Sequence, residues 1–287
     1  MIGVIGAGAM GGAIANTLVR AFLDVQVFDI DRAKVEAAVA GGASAAPDAA
    51  ALVRACDPVL VSLPKSEIFV DVAERSIVPA ARSGQTIIDL GTTTVEETRR
   101  LHGIFKDRGV SFLDAPVSGG RIGSAQGALF VFVGGDRDAA AKQWPLLSKI
   151  GKARLTYCGP SGAGQIVKGV NQLAMGLVSA AYIESIAYGV RAGVDPMVLL
   201  AAVGDSSGFR QQFSQIASRI VSGEGDAMDN KYAEFKYFLA EADNVGFPAP
   251  MLRSLNEWMH RFAETGRDNM GRPFPPLWSS LMSAKGE

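Results

Sequence analysis

The sequence begins Met1-Ile2-Gly3-Val4-Ile5-Gly6-Ala7-Gly8-Ala9-Met10-Gly11, a short apolar run that ends in glycines spaced as Gly-x-Gly-x-x-Gly. Apolar residues at helical spacing follow, at Ile14, Leu18 and Phe22, so the pattern predicts a strand, a tight turn and a helix. In this arrangement Gly6 permits the turn, Gly8 lets the backbone approach a phosphate, and Gly11 lets the helix pack close to the strand. Backbone N–H groups and the positive end of the helix dipole then point at one place, which suits a pyrophosphate.

A second apolar run, at 25–28, ends at Asp29. Dinucleotide-binding units place a carboxylate about 20 residues after the glycines, where it accepts hydrogen bonds from a ribose hydroxyl. The same charge repels a 2′-phosphate at close range, so the sequence favours NAD as the cofactor, with NADP less favoured. Two alternatives stay open: Asp29 caps the following helix, or Asp31 shares or takes the ribose.

Composition indicates a globular protein that lacks the excess of basic residues needed to bind nucleic acid or an anionic membrane. The chain has 287 residues, of which 48% are hydrophobic, and a formal net charge of −1. Acids and bases are interspersed, so we expect no nucleic-acid partner and no membrane partner. Cys56 and Cys158 lie in no ligand pattern, so we expect neither a disulfide scaffold nor a metal site. The first strand leaves no room for a leader and no apolar run approaches membrane-spanning length, so we expect a cytoplasmic protein.

Apolar, β-branched runs alternate with helix-like segments in the first half of the chain, at 58–63, 86–90, 110–113 and 129–133. The alternation predicts an α/β fold that starts with a doubly wound, mostly parallel Rossmann domain. Ligands of such sheets lie beyond the carboxyl ends of the strands. Leu63 and Pro64 follow one run and Thr92 follows the next. The cluster Thr92–Thr94 is equally suited to capping the next helix.

The pattern becomes helical after Gly159-Pro160-Ser161-Gly162. We therefore predict a cofactor-binding domain over 1–160 and an all-α domain over 161–287, for substrate binding and oligomerisation. The segment from Gln165 to about Ala192 is apolar over too much of its circumference for a helix with one neighbour. We expect it to lie in the middle of the helical domain and to contribute to a subunit interface.

Two further stretches carry residues suited to chemistry. Ser118-Gly119-Gly120 follows a strand-like run, so its hydroxyl and N–H groups are available to an anion such as a small carboxylate. Lys168, Asn171 and Gln172 share one face of the long helix. A lysine among apolar residues is partly desolvated, which suits it to proton transfer near neutral pH. The alternative is that Lys168 is a surface residue whose aliphatic stem lies on apolar neighbours while its charged end is in water.

Together these stretches resemble the β-hydroxyacid dehydrogenases, the family of 3-hydroxyisobutyrate dehydrogenase and tartronate semialdehyde reductase within the 6-phosphogluconate dehydrogenase superfamily. Residues 6–11 are similar to the family's cofactor loop, and Asp114-Ala115-Pro116-Val117-Ser118-Gly119-Gly120 is similar to its substrate-binding signature. Gly162-Ala163-Gly164-Gln165-Ile166-Val167-Lys168 resembles its catalytic stretch, with Lys168 on the catalytic lysine. The resemblance covers nearly the whole chain.

The resemblance implies a concrete site. NAD would lie across the cofactor loop, in contact with Leu63, Pro64 and Thr92. Ser118, Gly119 and Gly120 would hold the carboxylate of a small β-hydroxyacid. Lys168 would exchange the hydroxyl proton while hydride moves to or from the nicotinamide. The family also implies a homodimer or homotetramer.

Two positions depart from the family pattern. The family usually places asparagine four residues after its lysine, where this chain has Gln172, with Asn171 one position earlier. It also commonly carries Lys-Asp-Leu where this chain has Ala233-Glu234-Phe235, with Lys231 and Lys236 nearby. Because the second lysine is missing, Arg121 and Arg210 are alternative ligands for the substrate's anionic group.

Three other functions are alternatives. An imine reductase shares the architecture but typically has another residue in place of the lysine. A 6-phosphogluconate dehydrogenase usually has a longer chain and a His-Asn pair after the lysine. A non-catalytic NAD-binding sensor is a third alternative. His102 and His260 lie outside every motif, and we assign them no chemistry.

Overall fold

A computed structural model of the chain describes residues 1–222, 229–261 and 277–283. The chain divides into two compact units, Met1–Gly169 and Val170–Glu287. The division falls after the predicted position of 160, since the first residues of the long helix are hydrogen-bonded to Asp114 in the first unit.

The first unit alternates strands and helices. Its strands are β1 (Ile2–Ile5), β2 (Val25–Phe28), β3 (Ser44–Ala45), β4 (Val59–Val61), β5 (Thr86–Asp89), β6 (Ser111–Asp114), β7 (Val117–Ser118), β8 (Phe130–Gly135) and β9 (Arg154–Gly159). Its helices are α1 (Gly11–Arg20), α2 (Arg32–Ala40), α3 (Ala49–Ala55), α4 (Ser66–Val72), α5 (Val78–Ala80), α6 (Val95–Asp107), α7 (Gly120–Gln126) and α8 (Arg137–Ile150), and a π-helical turn, Ala73–Ile77, joins α4 to α5.

The strands form one sheet in the order β3-β2-β1-β4-β5-β6-β8-β7, with β9 paired to β8. Strands β1 to β6 are parallel, and β8 runs antiparallel to β6. The chain order reverses between β1 and β4, and ligands of doubly wound sheets bind beyond the carboxyl ends of the strands at such a point. The predicted Rossmann architecture is confirmed. The short strands β3 and β7 and the strand β9 were not predicted.

Both faces of the sheet are covered, which explains why its strands read as continuous apolar runs rather than alternating ones. Val4 and Leu60 lie in one hydrophobic core, while Ile5 and Val61, their neighbours along the same strands, lie in the other. All four side chains are at most 2% exposed. Side chains of successive strand residues point to opposite faces, so each strand supplies both cores.

The second unit is helical in its described residues. The long helix α9 (Ala163–Arg191) begins in the first unit, and the others are α10 (Pro196–Val203), α11 (Gly208–Val221), α12 (Asp229–Asn244), α13 (Pro250–Arg261) and α14 (Leu277–Ser283). Ile183 of α9 packs with Phe235, Leu252 and Met259 in one core of this unit. Ile186 of α9 packs with Phe213 in another. The expected all-α second domain with α9 at its centre is thus observed.

Helix α9 also presents apolar side chains outward. Val170 is 63% exposed, Met175 50% and Tyr188 79%. By length and composition alone, this helix is long and apolar enough to cross a membrane. The expectation that no apolar run approaches membrane-spanning length is therefore wrong for this segment. The central helix of a soluble domain passes the same test, because it is apolar on the faces that meet its neighbours.

Two helical glycines give opposite predictions for replacement by alanine. A Cβ atom at Gly11 would collide with the carbonyl oxygen of Gly6, which is backbone and cannot move aside. A Cβ atom at Gly103, inside α6, would meet nothing within 4 Å. We expect Gly11→Ala to lower the free energy of unfolding by about 1–3 kcal/mol through overpacking. We expect Gly103→Ala to raise it by about 0.5–1 kcal/mol, because alanine loses less backbone entropy in a helix.

Urea unfolding followed by circular dichroism measures both changes on the same chain. A Gly11→Ala protein that unfolds at or above the wild-type midpoint would show that α1 does not need this close approach.

Candidate active site

The glycine turn after β1 has the geometry that the sequence predicts. Gly6 has φ +91°, which only glycine adopts readily, and its N–H donates to the carbonyl of Phe28 over 2.8 Å. Gly11 packs directly against Gly6. Around Gly8 a Cβ atom would meet nothing within 4 Å, so the backbone there borders open space. Ala7 is buried, Ala9 is exposed and Met10 is half-buried. Open backbone between two packed glycines fits a pyrophosphate.

Asp29, at the end of β2, is joined to the glycine turn. Its Oδ2 accepts a hydrogen bond from the N–H of Ala7 over 2.8 Å, and its Oδ1 accepts one from the N–H of Asp31 over 2.9 Å. Asp31, not Asp29, caps α2, since its Oδ1 accepts from the N–H of Ala33 and its carboxylate pairs with Lys34. Of the alternatives that the sequence left open, the geometry therefore favours Asp29 as the carboxylate beside the cofactor turn.

The threonine cluster after β5 divides by role. Thr94 caps α6 by accepting from the N–H of Glu97, and Thr93 donates its hydroxyl to Asp89 over 2.6 Å. Thr92 is half-buried, as is Leu63 after β4, whereas Pro64 is exposed. The segment after β4 and the segment after β5 both lie at the carboxyl edge of the sheet, where the glycine turn after β1 also lies. Capping of α6 is therefore the task of Thr94 and not of Thr92.

Lys168 lies beside the Ser-Gly-Gly turn. Its side chain is buried, at 6% exposure, and its Nζ donates a hydrogen bond to the carbonyl of Val117 over 2.9 Å. Val117 directly precedes Ser118, which is half-buried, while Gly119 and Gly120 are exposed and have φ values of +129° and +60°. The structure thus brings the predicted acid–base residue to the predicted carboxylate-binding turn, and it excludes a lysine lying on the surface.

The remaining predicted site residues are less uniformly placed. In the second unit, Gln172 donates its Nε2 to Glu234 over 2.7 Å and accepts from the Nδ2 of Asn171 over 3.2 Å. Gln172 is thereby held by an acid rather than left to turn freely. Arg121 is exposed on α7. Arg210 lies in α11, but its side chain, like those of Lys231 and Ala233, falls outside the described residues; Lys236 is exposed.

Sequence reasoning missed a pair of buried carboxyl groups. Asp89 and Asp114 end the neighbouring strands β5 and β6 in register, and both are 0% exposed. Burial raises the pKa of Asp89 to about 7, partly offset by hydrogen bonds from Thr93 and Gly91. Burial also raises the pKa of Asp114 to about 6, against hydrogen bonds from Gly162 and Gln165. The sequence contained one signal for this pair, because Asp89 and Asp114 each stand at the end of an apolar, strand-like run.

No group of three or more histidine, cysteine or acidic side chains suited to a metal ion occurs within the described parts of the chain.

Comparison with known proteins identifies the family of the two parts of the chain. Residues 1–159 match the family model described as the NAD binding domain of 6-phosphogluconate dehydrogenase. Residues 162–271 match the model described as the NAD-binding domain of NADP-dependent 3-hydroxyisobutyrate dehydrogenase. The nucleotide turn, the sheet and the helical second unit therefore define an NAD(P)-binding oxidoreductase.

Individual relatives narrow the class. The chain is 33% identical over 256 residues to 2-(hydroxymethyl)glutarate dehydrogenase of Eubacterium barkeri, covering 87% of this chain and 85% of the relative. It is 35% identical over 211 residues to an NAD-dependent L-serine dehydrogenase of Pseudomonas aeruginosa, and the match covers 72% of this chain and 70% of that relative. The structure of Mycobacterium tuberculosis 3-hydroxyisobutyrate dehydrogenase with L-serine has the same fold, with a TM-score of 0.82 at 23% identity over 98% of this chain and 97% of that one. The chain belongs to the β-hydroxyacid dehydrogenase family.

The buried carboxyl of Asp89 predicts a pH-dependent stability. Its folded-state pKa, about 7, lies above the ordinary value of 3.8. The stabilisation that comes with its proton is complete below the unfolded pKa and is lost as pH rises through about 7. An asparagine carries no such charge, so Asp89→Asn should be more stable than wild type at pH 8 and gain little at pH 5. Each unit of pKa difference corresponds to about 1.4 kcal/mol.

Urea unfolding of both proteins at pH 5 and pH 8 measures this difference. An equal gap between the two proteins at both pH values would contradict a carboxyl that titrates at a raised pKa.

Proposed function

We propose that the protein is an NAD-dependent dehydrogenase that oxidises the hydroxymethyl group of a small 3-hydroxy acid to an aldehyde, and reduces that aldehyde in the reverse direction. The hydrogen bond from the Lys168 ammonium to Val117, one residue before the Ser-Gly-Gly turn, carries this proposal. The relatives' names support the substrate class. L-Serine, 3-hydroxyisobutyrate and 2-(hydroxymethyl)glutarate all contain the unit HO–CH2–CH–COO⁻.

The residues suit the parts of such a substrate. The N–H groups and hydroxyl of Ser118–Gly120 would bind the carboxylate, as exposed glycine turns bind anions. Lys168, in its amine form, would accept the proton of the hydroxyl group, while bound NAD would supply the acceptor for the hydride released from the same carbon. In the reverse direction the Lys168 ammonium would donate that proton to the oxygen. A buried amine that already lies within hydrogen-bond distance of the turn has little orientational freedom to lose.

The cofactor proposal rests on Asp29. Its two carboxylate oxygens each retain a lone pair after accepting from Ala7 and Asp31, so they remain available to ribose hydroxyl groups. A 2′-phosphate in the same place would bring two negative charges together. We therefore propose NAD rather than NADP as the physiological cofactor.

Substrate selection within the class would depend on the departures from the family pattern. Arg121 directly follows Ser-Gly-Gly, and a guanidinium pairs bidentately with a second carboxylate. Arg121, with Arg210 as the alternative, is proposed as the ligand of an anionic substituent on the substrate. Glu234 holds Gln172 and adds an acid to the second unit, so the amide is fixed in one orientation.

We also propose that the chain works as a homodimer or homotetramer. The support is the exposure of several apolar side chains on α9, namely Val170, Met175, Val178 and Tyr188. Exposed apolar side chains on one helix are typical of a surface that a partner subunit covers.

The acid–base role of Lys168 predicts a large loss of turnover on replacement. Lys168→Ala should lower kcat by about 10²–10⁴-fold, the usual contribution of a positioned proton donor. The affinity for NAD should change little, because the glycine turn and Asp29 are untouched. The assay is the appearance of NADH at 340 nm with 3-hydroxyisobutyrate, L-serine, 2-(hydroxymethyl)glutarate and glycerate in separate wells.

Lys142→Ala, an exposed lysine on α8, is the matched control and should leave kcat unchanged. A Lys168→Ala enzyme with wild-type kcat would refute the proposed role. Reduction of cyclic imines, with no turnover of any of the four acids, would instead indicate the imine reductase alternative.

The role of Asp29 predicts a shift in cofactor preference. Asp29→Asn keeps one acceptor for the N–H of Ala7 but removes the negative charge. We expect kcat/KM with NADP to rise and kcat/KM with NAD to fall, so that their ratio moves by about tenfold, or 1.4 kcal/mol. Asp31→Asn, two residues on, is the control and should leave the ratio near its wild-type value. An unchanged ratio in Asp29→Asn would show that another residue selects the cofactor.

A further inference from the structure

The start of helix α9 is held by a side chain from a distant strand. The residue before the helix is Gly162, with φ +89°, which has no side chain to cap it. The hydroxyl of Ser161 is buried and has no hydrogen-bond partner among the described residues. Helix starts leave several N–H groups without partners, and a neighbouring side chain usually satisfies them. Here the chain next to the helix supplies no such side chain.

Asp114 supplies the missing acceptor. Its Oδ1 accepts from the N–H of Gly162 over 3.0 Å and its Oδ2 accepts from the N–H of Gln165 over 3.1 Å, and the N–H of Gly164 also bonds to this carboxyl group. The N–H of Ala163 donates to the carbonyl of Pro160. One buried carboxylate, 48 residues before Gly162, thus satisfies most of the first turn. We call these three bonds the Asp114 clamp.

The backbone segments around the Asp114 carboxyl group lie very close to one another. A Cβ atom at Gly134, on β8, would lie 2.6 Å from both carboxylate oxygens of Asp114 and 2.7 Å from the nitrogen of Gly164. A Cβ atom at Gly164 would lie 2.7 Å from the carbonyl oxygen of Asp114. Strand β6, strand β8 and the first turn of α9 therefore meet at a point where a side chain on either glycine would separate them.

Gln165 extends the contact to the segment after β5. Its Nε2 donates to the carbonyl of Gly91 over 3.0 Å, and its Oε1 accepts from the N–H of Thr93 over 3.2 Å. Its side chain is 2% exposed. The residue between these partners is Thr92, which we assign to the cofactor. The first turn of α9 is thereby bonded to both β6 and the loop that follows β5.

The clamp and the Lys168 contact join the same two segments. Asp114 and Val117 are three residues apart on the chain after β6, and Gln165 and Lys168 are three residues apart on α9. Asp114 bonds to Gln165, and Lys168 bonds to Val117. Residues three apart on a helix lie on the same face. Two bonds between the same segments fix both the distance and the rotation of α9 at Ser118.

We propose that Asp114 is a positioning residue: by holding the first turn of α9, its carboxylate places the Lys168 amine at the Ser118–Gly120 turn and so sets the rate of proton transfer. This inference rests on the proposed function for its effect on turnover, but not for its effect on the helix. A misplacement of about 1 Å at a reacting group can cost on the order of a hundredfold in rate. Loss of the clamp should therefore lower kcat more than it alters the binding of NAD.

The carboxylate form of Asp114 is the one that accepts these bonds. Burial raises the pKa of this group to about 6, so protonation of the carboxylate begins near neutral pH. The titratable groups that interact with it are Asp89 on β5 and Cys158 on β9, while Lys168 lies one turn along α9. Because this folded-state pKa lies above the ordinary value of 3.8, opening the first turn of α9 so that the carboxyl group meets water costs more free energy below pH 6 than at pH 8.

The test compares Asp114→Asn with Asp136→Asn. Asp136 caps α8 in a similar way, accepting from the N–H groups of Asp138 and Ala139, but α8 carries no site residue. In Asp114→Asn we expect amide hydrogen exchange over 162–168 to accelerate, kcat to fall by about ten- to a hundredfold, and KM for NAD to stay within about twofold. In Asp136→Asn we expect faster exchange over 137–140 and wild-type kcat.

Faster exchange over 162–168 with an unchanged kcat would overturn the positioning role, as would a fall in kcat without faster exchange. If wild type turns over no 3-hydroxy acid, the proposed function fails, but the exchange comparison still tests the clamp because it uses no substrate. If Asp114→Asn does not fold, wild type suffices. If opening of this turn solvates Asp114, wild-type exchange over 162–168, corrected for intrinsic rates and divided by that over 137–140, should fall as pH falls from 8 to 5. A constant ratio would overturn the proposal.

Discussion

The structure depends first on how closely backbone meets backbone at the carboxyl edge of the sheet. Gly6 and Gly11 touch where α1 leaves β1, and Gly134 and Gly164 allow strands β6 and β8 to meet the start of α9 around one carboxylate. A side chain in either place would separate the elements. These two contacts set where the cofactor turn lies and where the helix that carries Lys168 begins. The rest of the first unit supports them with two hydrophobic cores, one on each face of the sheet.

Much of the fold could be predicted from the sequence because its signals are local. The glycine turn, the strand-like runs and the change to helical patterns each lie within a few residues, and each was observed. Strand β7 was missed because Val117 and Ser118 are too few to show a period. The length of α9 was predicted, but its outward apolar face gave it a composition that also suits a membrane, and composition does not report which neighbours a helix has.

The candidate site could be predicted only in part, because some of its contacts join residues that are far apart in the sequence. Ser118, Lys168 and Asp29 carry recognisable signatures, whereas Asp114 was quoted as part of a motif without a role. Its partners lie 48 and 51 residues away, and no pattern in the sequence records that distance. Asp29 was predicted as the carboxylate near the ribose, and the alternative that it caps the following helix could be removed only by the structure, in which Asp31 fills that position. Buried polar groups acquire their roles from partners that folding brings together, so they are the residues that sequence patterns leave unassigned.

The side-chain amide of Gln165 bonds to the carbonyl of Gly91 and to the N–H of Thr93 at once, so one planar group must offer a donor on one side and an acceptor on the other. Glutamine does this, whereas glutamate, of nearly the same shape, presents acceptors on both sides. Deamidation of this one residue during chemical ageing would turn an oxygen towards the Gly91 carbonyl and add a negative charge near Asp114. The chain would keep its shape in outline, yet the loop beside Thr92 would lose its bond to α9.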